Sequence, residues 1–217
     1  MGATQRGPDA QPLPVVRMAM LLQAYQARLR RLGDDVDPGR LAELMAPAPA
    51  LTPLQRSAEL RHRLRLGPVA PAAFTPPAHR LAVLDKPTLL AVLAARALYA
   101  HRAALARCGD GALLAMLRAL VGAPALAVLR AASTGVAPGR DALPLPARAT
   151  PLDWAIDGYA RFERDGAWQD ATLRRLIEVT LPAGPAPDVG PAGPDDDSAA
   201  LVALLPTLFP ELTWLFG

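Results

Sequence analysis

The 217-residue chain is 52% hydrophobic but only 5% aromatic, so its core is drawn mainly from alanine and leucine, the strongest helix formers. Runs of β-branched residues are missing, which excludes a strand-built fold, and the 24 prolines punctuate short helices. A single cysteine, Cys108, excludes an intramolecular disulfide, and a formal charge of +3 is weak for a dedicated nucleic-acid binder.

Residues 1–12 are polar and read as a flexible tail, with no apolar stretch of the kind a secretory signal needs. A first helix is predicted over about 13–32, with Pro14 in its opening turn, and Gly33-Asp34 stops it. Asp37-Pro38, Thr52-Pro53 and Thr150-Pro151 then repeat one device. An oxygen-bearing cap precedes a proline at the first helical position. They launch helices predicted over 38–46, 53–66 and 151–164. The stretch 67–80 carries Pro68, Pro71, Pro76 and Pro77 and is expected to be an extended connector.

Asp85-Lys86-Pro87 opens a central helix predicted to reach Cys108. On a helical wheel Leu90, Leu93, Ala94, Ala97, Leu98, Ala104, Leu105 and Cys108 share one face, with Arg96, Ala103 and Arg107 opposite. Gly109 and Gly111 break this helix. Two further Leu-rich helices, separated by Gly122 to Pro124, follow closely enough to predict a central antiparallel hairpin. Residues 135–149 form a second connector. A helix or helix pair covers 152–181, anchored by Trp154 and Trp168 and kinked at Asp165-Gly166. The Pro/Gly/Asp segment 182–197 is a third connector and is expected to be mobile. Ser198 opens an apolar final segment. The expectation is an all-α, single compact multi-helix domain over 13–217.

Little in the chain is arranged for chemistry. Of three histidines, His101 lies within the central apolar stripe and is expected at the core or its boundary, while His62 and His79 are expected at the surface. No serine sits in a nucleophile elbow, and there is no phosphate loop or dinucleotide fingerprint. The run Asp195-Asp196-Asp197 lacks the spacing of a calcium loop. No enzyme activity, cofactor or metal is therefore expected. Of 23 basic residues only Lys86 is a lysine, a bias that matches GC-rich coding. Arg56, Arg61, Arg63 and Arg65, with His62, make the densest basic cluster, which is either a solvated helix face or a contact for an acidic protein surface. The terminal residues Phe209, Trp214 and Phe216 are either a last core element or an anchor for a partner, and packing back is the favoured reading. The four arginines together with Phe209, Trp214 and Phe216 form the candidate partner interface.

The block LAVLDKPTLLAVLAARALYAHRAALARCGDGALLAMLRALVGAPALAVLRAA resembles the core of the SctK (YscK-type) family, accessory proteins of the bacterial type III secretion apparatus, or injectisome. Leu98, His101, Arg102 and Arg107-Cys108, followed by Leu113, Leu114 and Leu117, carry the likeness. It continues through the tryptophan-bearing helices of 151–181 and the ending LLPTLFPELTWLF. It is close over 80–217 and holds only in helical character over 13–66.

The resemblance implies a cytoplasmic sorting-platform component, peripheral to the inner membrane. It would link the forkhead-associated-like cytoplasmic domain of a ring protein (SctD) to a pod protein (SctQ). The pod protein leads on to the stator (SctL) and ATPase (SctN). It implies no catalytic residue. Residues 1–80 carry a positive surplus and 81–217 a slight negative one, which suits a bridge with one basic and one acidic end. The competing readings are a helical chaperone-like or regulatory binding protein and, behind it, a nucleic-acid-binding regulator.

Overall fold

The starts of the capped helices follow from a local hydrogen-bonding rule. In the structure, a computed structural model describing residues 13–46, 51–132, 144–146, 149–185, 187–190 and 197–217, helix α1 spans Val15–Arg30 and a short α2 spans Leu32–Asp35. Helix α3 (Pro38–Met45) begins where the Asp37 carboxylate accepts from the amides of Gly39 and Arg40. Helix α4 (Pro53–Arg63) begins at a reciprocal capping box between Thr52 and Gln55. These groups satisfy amides that the first helical turn leaves without partners. The predicted tail 1–12 and most of the connector 135–149 lie outside the described residues.

The proline stretch after α4 is not an extended connector. It forms two 3-10 turns, Pro71–Phe74 and Pro77–Val83. Proline forbids continued α-helix but tolerates tight turns of fixed φ, and here the turns bury Phe74, His79, Arg80, Leu81 and Val83. Arg80 locks them in place: its guanidinium donates to the carbonyls of Phe74 (3.1 Å), Thr75 (3.1 Å) and Leu215 (3.0 Å). His79 was expected at the surface; it is 3% exposed. Its Nδ1 meets the Ala73 carbonyl at 2.6 Å and its Nε2 accepts from the Gln169 amide at 3.0 Å.

Helix α5 (Lys86–Ala100) starts at the Asp85 cap and ends at His101, where a break separates it from α6 (Arg102–Ala106). The predicted single helix to Cys108 is thus two. Helices α7 (Gly111–Val121) and α8 (Ala123–Ala131) follow, and their axes turn by 115° between them. After the capping box of Thr150 and Asp153 come α9 (Pro151–Arg164), α10 (Ala171–Glu178) and α11 (Asp197–Leu208). A 3-10 turn, Pro210–Leu212, leads into α12 (Thr213–Phe216). No strand occurs among the described residues, and the chain is a single compact all-α domain.

The core is built around α5, which is covered on every side: Leu89, Val92, Leu93, Ala94, Ala95, Arg96, Ala97 and Leu98 are all buried. Its most extensive partner is α9, distant in sequence, with α7, α8 and α11 also packed against it. The close approach of α5 and α9 depends on one glycine: a Cβ on Gly158 would lie 1.7 Å from the Leu93 carbonyl oxygen. Trp154, Phe162 and Trp168 are buried in the same core, and Trp168 packs against the rings of Tyr159 and Phe162. No single helix among the described residues is long and apolar enough to cross a membrane.

Candidate functional site

The basic cluster takes its shape from how α4 ends. Leu60 and Leu64 on one face of the helix are buried, as is Leu66 just beyond it, so the intervening arginines turn outward. The helix closes with a paired motif in which the Leu66 amide reaches the Arg61 carbonyl (2.9 Å) and the Arg65 amide reaches the His62 carbonyl (3.0 Å). This closure needs a left-handed residue one place past the cap, normally glycine. Arg65 occupies it, with φ of 53°, a conformation costing a side-chain-bearing residue about 1–2 kcal/mol. Gly67 follows, and its carbonyl accepts from the Tyr25 hydroxyl at 3.1 Å. Burial pushes the Tyr25 pKa up, while the nearby Arg61 charge pulls it down.

The structure separates the four predicted arginines. Arg61, Arg63 and Arg65 line one shallow surface concavity with His62, Leu66 and Gly67. Arg63 is already committed, to Glu59 at 2.6 Å and to the Leu44 carbonyl. Arg56 lies elsewhere, its side chain against Gly33 at the α1–α2 junction. There Ser57 Oγ donates to the Arg30 carbonyl (2.9 Å) and accepts from the Gly33 amide (3.2 Å). Arg61 and Arg65 are exposed and have no carboxylate partner among the described residues.

The terminal apolar residues divide as well. Phe209 is 5% exposed and packs in the core with Leu212 and Leu215, while Trp214 and Phe216 are half-buried. In this conformation Phe209 has almost no surface to offer a partner. Phe216 borders a groove of about 440 Å³ whose walls include Pro76, Pro77, Val202 and Ala203.

Three polar arrangements escaped the sequence reading. Arg96, placed on the solvent face by the wheel, is fully buried. Its Nη2 donates to Asp165 Oδ2 (2.7 Å) and its Nε to Ser198 Oγ (2.8 Å), and Ser198 Oγ donates to the same Asp165 oxygen (2.5 Å). Burial pushes the Asp165 carboxyl up, but hydrogen bonds from Ser198, Arg96 and Arg164 outweigh it and hold its pKa below the ordinary value. In the second arrangement, Arg28 of α1 is fully buried as the ion-pair partner of Asp35 at the end of α2.

The third surrounds His101, which is buried as expected and meets the Trp154 ring edge-on at 5.6 Å. Its Nε2 lies 3.8 Å from Asp157 Oδ2, an oxygen that also accepts from Arg161 Nε at 2.9 Å. Burial raises the Asp157 pKa, and the hydrogen bonds of His101 and Arg161 more than reverse it. For Arg96 the available signal was an arginine flanked directly by alanines in the apolar run of α5. Its partner, 69 residues away, left no trace in the pattern.

These polar groups are spent on holding elements together. Both buried serines bond to neighbouring elements, and both nitrogens of His79 are engaged. Among the described residues no three metal-ligating side chains converge. The family model described as bacterial type III secretion protein (HrpB4) matches residues 12–211. The chain belongs to the HrpB4 family. That membership agrees with the SctK-type resemblance of the central block and covers α1–α4 as well. No match was found among curated proteins or among solved structures. Two surface features of this HrpB4-family protein stand open to solvent: the arginine concavity at the end of α4 and the groove beside Phe216.

Proposed function

We propose that this chain is a non-enzymatic adaptor of the type III secretion sorting platform. In this reading it works in the cytoplasm and reaches the inner membrane only through protein partners. One partner is the forkhead-associated-like cytoplasmic domain of the ring protein. The other is the pod protein, and through it the stator and ATPase. The family match over residues 12–211 carries the reading. It is supported by the exposed Arg61 and Arg65, which have no carboxylate partner among the described residues and are open to a partner surface.

Co-purification from cells carrying the whole apparatus tests the proposal. The tagged full-length chain is expected to bring down both the ring protein and the pod protein, and deleting its gene is expected to separate those two from each other. Recovery of neither partner, or an unchanged ring–pod association after deletion, overturns it.

A further inference from the structure

We propose that the C-terminal end of α4 is a docking cradle for an acidic segment of a partner protein, gripped by the guanidinium groups of Arg61 and Arg65 with His62 beside them. Three independent observations carry this. Arg61, His62 and Arg65 are exposed around one concavity, and Glu59 on the same helix is held by Arg63. Arg65 sits in a left-handed conformation at the one position of the helix where glycine fits without strain. Arg65 thus presents its guanidinium at a backbone cost that glycine would avoid.

The floor of the cradle is also rigid. Leu64 and Leu66 are buried, the Leu64 carbonyl accepts from Arg175 at 3.0 Å, and the Gly67 carbonyl accepts from Tyr25. The two guanidinium groups therefore project from a fixed backbone, so binding has to order their side chains but not the chain that carries them. The carbonyl end of the helix dipole favours their charge.

The chemistry selects carboxylates. Planar guanidinium forks pair with carboxylates through two parallel hydrogen bonds. A nucleic acid needs a longer basic track and aromatic rings for its bases, and the cradle is lined by Arg61, His62, Arg63, Arg65, Leu66 and Gly67, with no Phe, Tyr or Trp. Which protein brings the carboxylates rests on the adaptor reading. The cradle's preference for them does not.

The test is fluorescence anisotropy of a fluorescein-labelled hexaglutamate peptide titrated with the full-length chain at low ionic strength. Arg65→Gly is expected to weaken binding several-fold while raising the melting temperature by about 2–4 °C, because it relieves strain and cannot fail for want of folding. Combining it with Arg61→Glu is expected to weaken binding by roughly tenfold or more. The control pair Arg107→Glu and Arg118→Glu, exposed arginines on the far side of the sequence, is expected to leave binding unchanged.

Undiminished binding by Arg65→Gly, equal loss in the control pair, or tighter binding of a thymidine oligonucleotide or of phosphatidylglycerol vesicles than of the peptide overturns the cradle. Co-capture of ring and pod proteins separates the two readings. A wild-type chain that captures neither ends the adaptor role and does not touch the peptide result. Cradle variants that capture both as well as wild type show that the cradle is not where they dock.

Discussion

Arg96 lies among the leucines and alanines of α5 with no path to water, so its charge must be answered inside the protein. Asp165 and Ser198 answer it at 2.7 and 2.8 Å, tying the central helix to the end of α9 and the start of α11. Removing one partner of a buried pair leaves the other charge stranded, which costs about 3–5 kcal/mol. Asp165→Asn is therefore expected to lower the stability measured by urea unfolding at neutral pH by about that amount.

The pH dependence has a definite sign. The folded pKa of Asp165 is depressed, below an unfolded value of about 3.9. Its contribution is fully present above about pH 4 and is lost as pH falls through the folded pKa. The variant's stability should thus fall less steeply on acidification than that of the wild type. Equal acid losses in the two proteins would remove Asp165 from the account. The wheel drawn from sequence put Arg96 outside because period alone says which face a residue is on. It does not say that α5 is covered on all faces, and the acid that neutralises Arg96 is far along the chain.

Where structure follows from neighbours a few residues apart, the sequence could be read directly. The caps at Asp37, Thr52 and Thr150 and the break at Asp165-Gly166 all lie where local chemistry puts them. The proline connector and the pairing of α5 with α9 depend on partners elsewhere and were not legible. Prolines announce only what the backbone cannot do, and Arg80 supplies what holds the turns together. One signal of the α5–α9 contact was present, a lone glycine inside an otherwise ordinary helix.

Gly158→Ala tests that contact. In an exposed helix interior the change stabilises by about 1 kcal/mol. Here the added methyl meets the Leu93 carbonyl oxygen at 1.7 Å, so the helices must part, at a cost of about 3 kcal/mol or more. Gly111→Ala, at a position with open space around it, is the matched control and should be neutral or slightly stabilising. Thermal unfolding of the two variants side by side decides the matter, and equal melting temperatures would mean that α5 and α9 do not touch at Gly158.

At the scale of the molecule, composition was enough for the fold class, because an alanine- and leucine-rich chain without β-branched runs has few other options. The surface that carries function was less legible. The cluster of four arginines looked uniform in sequence, and only the path of α4 separates Arg61 and Arg65 from Arg56, turned toward Gly33, and Arg63, held by Glu59.

The two readings of the terminal segment, core element or partner anchor, differ in what its loss does to the whole. Phe209, Leu212 and Leu215 are buried, α12 packs against α1, and the Leu215 carbonyl is one of the three that hold Arg80. Burial of three such side chains contributes roughly 5–9 kcal/mol, comparable to the whole stability of a typical domain at about 5–15 kcal/mol. Deleting residues 209–217 is therefore expected to abolish the cooperative thermal transition seen by circular dichroism and to expose apolar surface to a hydrophobic dye. Trp154 and Trp168, on distant elements, should lose their buried fluorescence in the same step. A truncated chain that still melts sharply near the wild-type temperature would make the segment an appendage, and Trp214 and Phe216 would then be free to serve as an anchor.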